Sequence, residues 1–336
     1  MIGTLLDAGL QTVLDGDEAI IGEEIIQEEI VKEEISLLQW ISDYKYWIIG
    51  ACVILLILII IAILLVRKKK KSAVKSKKFS GDKQLALADG QERILIGKLH
   101  GQGARSSQQD CFSVSPEEMI PTHGLLAVVA DGMGGLQDGD KVSKKAVTTV
   151  MDSFYNLQGE PELVLLSLLG SANLAVNAML GPENYNKCGS TLVAGLIKDN
   201  KFYYLSVGDS RICLMREGVL YQLNREHVYR NELYIRALNG EGTLMDARKH
   251  ERAAGLTSFL GKGKIEQVDL PAEPIEIRRG DVFMLMSDGV YNAMTKEELI
   301  HALSHEPQRA VEILQELIQE KNFTNQDNYS GVILRC

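Results

Sequence analysis

The chain has 336 residues, 46% of them hydrophobic, and a net charge of −9. That is enough for one large domain with a full core plus appendages, and the acidic balance argues against nucleic acid as a partner. Five cysteines (Cys52, Cys111, Cys188, Cys213, Cys336) lack paired spacing, which excludes a disulfide framework or a zinc site and fits a reducing compartment.

Residues 1–43 are acidic, with glutamate pairs at Glu23-Glu24, Glu28-Glu29 and Glu33-Glu34. That five-residue repeat does not keep one helix face apolar, so the stretch reads as a short, partly helical extracytoplasmic segment. Residues 44–66 read as a transmembrane helix. Tyr46 to Val66 carries no charge, long enough to cross a bilayer, and Tyr44, Tyr46 and Trp47 form an interfacial belt. Arg67, Lys68, Lys69, Lys70 and Lys71 close the run, which puts the N-terminus outside and everything beyond in the cytoplasm, at the cell membrane. Residues 67–91 are a basic juxtamembrane linker, either a plain topology signal or a contact for anionic lipid head groups.

Residues 92–336 read as one domain. Apolar runs predict strands at Ile94–Leu99 and Leu125–Ala130, and helices follow at Val142–Leu157 and Pro161–Leu180. Next comes a meander: Ser190–Ile197, Lys201–Val207, Arg211–Met215 and Val219–Leu223, separated by Asp-Asn, Gly-Asp-Ser and Arg-Glu-Gly turns. Glu226–Leu238 reads as helix and 239–280 as irregular. A strand at Val282–Met286, helices at Thr295–Ser304 and Pro307–Gln319, and a last strand at Ser330–Leu334 complete the domain. The fold class expected is α+β, helices packed on an antiparallel sheet or sandwich.

Four aspartates sit beside these buried strands. Asp131 follows LLAVVA, Asp209 follows FYYLSVG, Asp288 follows VFMLMS, and Asp327 precedes the final strand. Like charges gathered at one rim repel unless a cation lies among them. Oxygen donors without a His/Cys set point to Mg²⁺ or Mn²⁺. Several carboxylates can hold two metals roughly 4 Å apart, the arrangement of two-metal hydrolases. Arg105, in GARSSQQDCF, has the planar fork that matches phosphate; Asp110, five residues on, would turn toward the metals or orient a water. The six histidines show no ligand spacing and read as surface or helix residues, and Cys188 reads as packing.

These stretches, GARSSQQDCF, VADGMGG, GSTLVAGLI, VGDSRI, LTSFLG, MSDGV and QDNYSGVIL, occur in order over about the whole of 92–336. Together they resemble the metal-dependent Ser/Thr phosphatases of the protein phosphatase 2C type, in a bacterial-like form. The resemblance implies a central antiparallel β-sandwich with helices on both faces and a dimetal site at one end. It implies Asp131 bridging two metals with the Gly132 carbonyl on one, Asp288 and Asp327 on the other, and Asp209 with Asp288 at a third, weaker site. It makes Arg105 the phosphate ligand and Asp110 the acid of the first motif. The substrates implied are phosphoserine and phosphothreonine on cytoplasmic proteins, opposite a Ser/Thr kinase. Two departures stand out: Gln109 where many members have glutamate, and Met133 where animal members have histidine. They motivate the alternative, a catalytically weak pseudophosphatase that holds partners at the membrane.

Overall fold

The computed structural model describes residues 94–134 and 138–336. The extracytoplasmic segment, transmembrane helix and basic linker expected at 1–43, 44–66 and 67–91 lie outside the described residues.

Two antiparallel sheets face each other. One orders its strands as β1 (Leu95–Gly101), β11 (Tyr329–Arg335), β10 (Val282–Met286), β7 (Arg211–Arg216) and β8 (Val219–Gln222). The other runs β2 (Asp110–Val114), β3 (Leu125–Gly134), β5 (Leu192–Lys198), β6 (Lys201–Val207) and β9 (Ile275–Glu276), with short β4 (Cys188–Ser190) paired to the end of β3. Helices α1 (Gly139–Phe154) and α2 (Pro161–Leu180) cover the second sheet. On the first lie α5 (Asp288–Tyr291), α6 (Lys296–Leu303) and α7 (Pro307–Lys321). Between β8 and β9 come α3 (Tyr229–Leu238) and α4 (Leu244–Lys249).

The continuous apolar runs follow from burial on both faces. In β3, Leu125, Ala127 and Val129 point between the sheets, while Leu126, Val128 and Ala130 point under α1 and α2. In β10, Phe283 and Leu285 face inward, and Val282, Met284 and Met286 face the outer helices. Phe202 of β6 stacks on Phe283 at 3.9 Å between ring centroids, joining the sheets. The hairpins are closed by the predicted turn residues: Asp199 and Asn200 both take positive φ, as do Glu217 and Gly218.

The elements expected at Pro161–Leu180, Lys201–Val207 and Val282–Met286 have the predicted bounds. Elsewhere the structure corrects the reading. A strand not expected, β2, begins at Asp110 and pairs that residue with Asp131. Asp131 does not end β3, which runs on to Gly134 against β4. The strand expected at Ser190–Ile197 is split at Thr191, whose hydroxyl turns to the Asp131 N–H (2.9 Å) and the Ser210 hydroxyl (2.7 Å). The stretch 239–280 contains α4 and β9.

Candidate metal and phosphate site

The inward rows of both sheets turn polar at one rim. Past Phe112 in β2 comes Asp110; past Val129 in β3 comes Asp131; past Leu285 of β10 comes Ser287; and before Val332 in β11 comes Ser330. Alternation of side chains along a strand therefore continues the apolar inner face into a polar cluster. Asp131 and Asp288 lie close enough that the charge of one bears on the other. Asp110 Oδ2 accepts from the Ser287 hydroxyl at 2.7 Å, and Asp110 Oδ1 is buried with no partner. Asp209 follows Gly208, whose φ of +103° favours glycine. The Tyr291 hydroxyl donates to the Asp209 carbonyl at 3.2 Å.

Burial dominates the electrostatics. It pushes Asp110 up to about 7, against the hydrogen bond from Ser287 and with help from the charges of Asp288 and Asp327. It pushes Asp209 up to about 7, reinforced by Asp288 and Glu226. Asp131 is raised well above the carboxylate range by burial and then by Asp110, Asp288, Asp209 and Asp327. Asp288 is raised by burial and then by Asp327. Carboxylates raised together by burial and by one another form a site of unbalanced negative charge, which suits a hard divalent cation. The orphaned Asp110 Oδ1 also fits such an ion. The set is not a closed coordination shell, however: among the described residues no group of three His, Cys, Asp or Glu side chains is gathered closely enough to hold an ion.

Arg105 joins the same rim. Its guanidinium donates to Asp327 Oδ2 at 2.6 Å and is 60% exposed, and Asp288 and Asp131 add to the field on it. The loop that carries it is held by a residue that sequence reasoning did not single out. Asn328, nearly buried, accepts from the Gln109 N–H (2.8 Å) and donates to the carbonyls of Gln102 (2.8 Å) and Ser107 (3.0 Å). Its only signal in the sequence is the Asp-Asn pair before β11. Gly132 and Gly289 are required by close approach. A Cβ on Gly132 would lie 2.2 Å from the Gly139 carbonyl oxygen, and one on Gly289 would lie 1.9 Å from that of Asn328.

Of the two departures, Gln109 gives its carbonyl to the Gly132 N–H (3.1 Å) and the Ser143 hydroxyl (2.5 Å), while its amide lies against Gly139. Met133 reaches toward Gly189 on β4. The histidine reading needs one correction: His227 is buried, its N–H donates to the Gly208 carbonyl and its Nδ1 accepts from the Gly208 N–H, bracketing the residue before Asp209.

The rim is thus assembled from segments between Arg105 and Ser330. The protein phosphatase 2C family model matches residues 103–322. The chain belongs to the protein phosphatase 2C family. It is a serine/threonine phosphatase by class. The serine/threonine phosphatase stp of Listeria monocytogenes is 33% identical over 181 residues, covering 52% of this chain and 69% of the relative. Among solved structures, the PPM Ser-Thr phosphatase MsPP of Mycobacterium smegmatis, in complex with cacodylate, superposes with a TM-score of 0.59. It is 28% identical, over 71% of this chain and 97% of that one. The catalytic domain of the phosphatase PstP, solved with two manganese ions, has a TM-score of 0.56 at 24% identity, over 72% and 98%. Antiparallel sheets with flanking helices are thus the fold of this protein phosphatase 2C domain and of its neighbours.

Proposed function

We propose that this phosphatase is a membrane-anchored, metal-dependent enzyme that hydrolyses phosphoserine and phosphothreonine on cytoplasmic proteins, opposite a Ser/Thr kinase. The observation that carries the chemistry is the rim itself, where Asp110, Asp131, Asp288, Asp327 and Arg105 meet although they are spread over more than two hundred residues. Asp131, the Gly132 carbonyl, Asp288 and Asp327 would hold two Mn²⁺ or Mg²⁺ ions, and Asp209 with Asp288 a third. The two manganese ions of the PstP structure support that reading. Such ions supply an acidified water as nucleophile and neutralise phosphate charge.

The chain's own groups do the rest. Arg105 brings a cationic fork to the phosphate oxygens, with Asp327 fixing its direction. Asp110, fixed at Oδ2 by Ser287, can hold or release a proton at Oδ1, a role opened by methionine at position 133. Turnover of a phosphothreonine peptide by the full chain with Mn²⁺ tests the reading: Asp131→Asn should lose on the order of 10³-fold in kcat. Equal turnover by the variant and the wild type would end it in favour of a partner-holding pseudophosphatase.

Anchoring rests on the sequence alone: the uncharged run Tyr46–Val66 followed by Arg67–Lys71. It predicts that the chain stays with membranes through alkaline carbonate washing, and that protease added outside the cell removes no more than the first 43 residues. Release into the wash would refute the anchor and leave the phosphatase reading standing.

A further inference from the structure

Helix α2 covers the second sheet with one face and leaves another apolar face in water. Leu165, Leu168, Ala172 and Val176 point into the core. On the far side, Leu163, Ser167, Gly170, Leu174 and Ala178 recur at i, i+4, i+7, i+11 and i+15, one stripe along the helix. Leu163 is 62% exposed and Leu174 72%, and Leu166 beside them is exposed as well. Glu162 is the only charged residue of the helix. A helix that is apolar all round belongs inside a core, and a contiguous apolar patch left in water marks a surface that binds something.

Gly170 bears on the same face. It lies in the middle of the helix, where glycine is a poorer helix former than alanine. A Cβ built on it meets nothing within 4 Å beyond its own turn, and its φ is not positive. Gly132 and Gly289 are required by neighbours in the chain; among the described residues, Gly170 has no neighbour that requires it. A bare backbone on an exposed apolar stripe suits close approach by a second backbone from outside.

The stripe is its own complement. Turn a second α2 antiparallel about a two-fold axis that passes between Gly170 and Ser171. Leu163 of one copy then faces Ala178 of the other, Leu166 faces Ala175, and Leu174 faces Ser167. Each leucine meets a small residue, and the small pair at the crossing lets the axes come close. The ends match in charge. Glu160 and Glu162 open the helix, while Lys187, exposed, lines a cavity with Met179 and Leu180 at its close. Of the acids at that end, Asp138 is paired with Lys141 at 2.8 Å, and the Glu183 carboxylate lies against Gly181. Antiparallel pairing brings each acidic start toward the partner's basic finish and opposes the two helix dipoles. An anionic bilayer would meet the same glutamates with no cation on the stripe, which favours a second copy over lipid.

We propose that the outer face of α2 is a docking surface for a second copy of this chain, paired antiparallel across Gly170. This docking depends on neither the phosphatase reading nor the membrane anchor.

Sedimentation of the full chain in mild detergent should show a dimer at about 50 μM, a weak affinity in keeping with a single-helix interface smaller than the standard ~1,600 Å². Gly170→Glu puts a charge at the crossing and should weaken dimerisation at least ~10-fold, while melting at high dilution no lower than wild type. A second variant does not depend on that one. Full chains carrying both Ser167→Cys and Leu174→Cys should form a disulfide-linked dimer on mild oxidation, and neither single variant should. A monomeric wild type, a Gly170→Glu chain that dimerises like wild type, or cross-linking through Ser167→Cys alone, the mark of parallel pairing, would each overturn the proposal. So would a Gly170→Glu chain that keeps the dimer but loses binding to phosphatidylcholine–phosphatidylglycerol vesicles, which would give the face to lipid. Each readout is independent of turnover, so a chain that hydrolyses no phosphopeptide would sink the phosphatase reading and leave this one standing.

Discussion

The rim and the stretch between β8 and β9 are the two ends of a contrast in how this domain uses burial. At the rim, polar groups are buried and each backbone approach is tight: Ser287 and Ser330 are fully buried, Asn328 nearly so, and Gly132 and Gly289 admit no side chain. In the other region, α3 buries none of its residues fully, and Ile235, Leu238, Leu244 and Met245 are exposed. That region is tied down at its base, where Tyr229 and Arg230 N–H groups donate to the Gly255 and Ala253 carbonyls. Charges that must converge need neighbours that cannot move, whereas a lobe fastened only at its base can vary its outer face at little cost.

The sharpest way to break the contrast is to add one methyl group at the rim. Gly289→Ala puts Cβ on the Asn328 carbonyl oxygen, which is backbone and cannot swing aside. Asn328 holds the Arg105 loop, so the disturbance reaches the phosphate ligand. The expected cost is about 2–3 kcal/mol of stability, together with loss of peptide turnover, read by thermal melting and by kcat/KM. A Gly289→Ala protein that melts and turns over like wild type would show that the rim yields as readily as the lobe.

A smaller effect concerns charge. Burial, with Asp288 and Glu226, raises Asp209 from an ordinary carboxylate value to about 7. A raised carboxyl group means that the folded protein holds a proton that the unfolded chain releases. Its stabilisation is complete below the unfolded value near 4 and is lost as pH rises through about 7. The metal-free chain should therefore lose stability between about pH 4 and 7. Asp209→Asn, which cannot ionise, should be the more stable protein at pH 8 by on the order of 1–2 kcal/mol, and the difference should shrink at low pH. Added Mn²⁺ should restore the wild type more than the variant as pH rises, since carboxylates bind the ion deprotonated. Melting curves at several pH values, with and without Mn²⁺, check both statements.

Which parts of this contrast show in the sequence follows from how each is built. Strands buried on both faces leave unbroken apolar runs, so β3, β6 and β10 and the aspartates beside them are legible. The glycines next to Asp131 and Asp288 mark close approach, and the structure bears that out at Gly132 and Gly289. Asp110 is harder to place, because β2 begins inside SSQQDCF, where no apolar alternation precedes it; only its pairing with Asp131 makes it a strand residue. His227 and Asn328 are hidden for a different reason. Each is a polar residue whose burial is set by backbone partners far along the chain, Gly208 for one and Gln102, Ser107 and Gln109 for the other. The short helix Leu244–Lys249 is started by Thr243, whose hydroxyl accepts from the Asp246 N–H, a local cap within a stretch that otherwise lacks helical periodicity.

The smallest expected effect tests the other side of the contrast. Leu238, at the end of α3, is 76% exposed, and Ile235 one turn earlier is 60% exposed. Exchanging both for serine removes apolar surface that water already reaches, so stability should stay within about 0.5 kcal/mol of wild type. Turnover of p-nitrophenyl phosphate, which carries no protein surface, should be unchanged, because α3 is fastened at its base and the rim groups do not pass through it. A drop in melting temperature of several degrees would mean that these side chains pack against something, and the lobe would then be as firmly built as the rim. Unchanged melting with a raised KM for a phosphoprotein, but not for the small ester, would sharpen the contrast instead. It would assign the immobile end to the chemistry and the loosely fastened end to the protein that carries the phosphate.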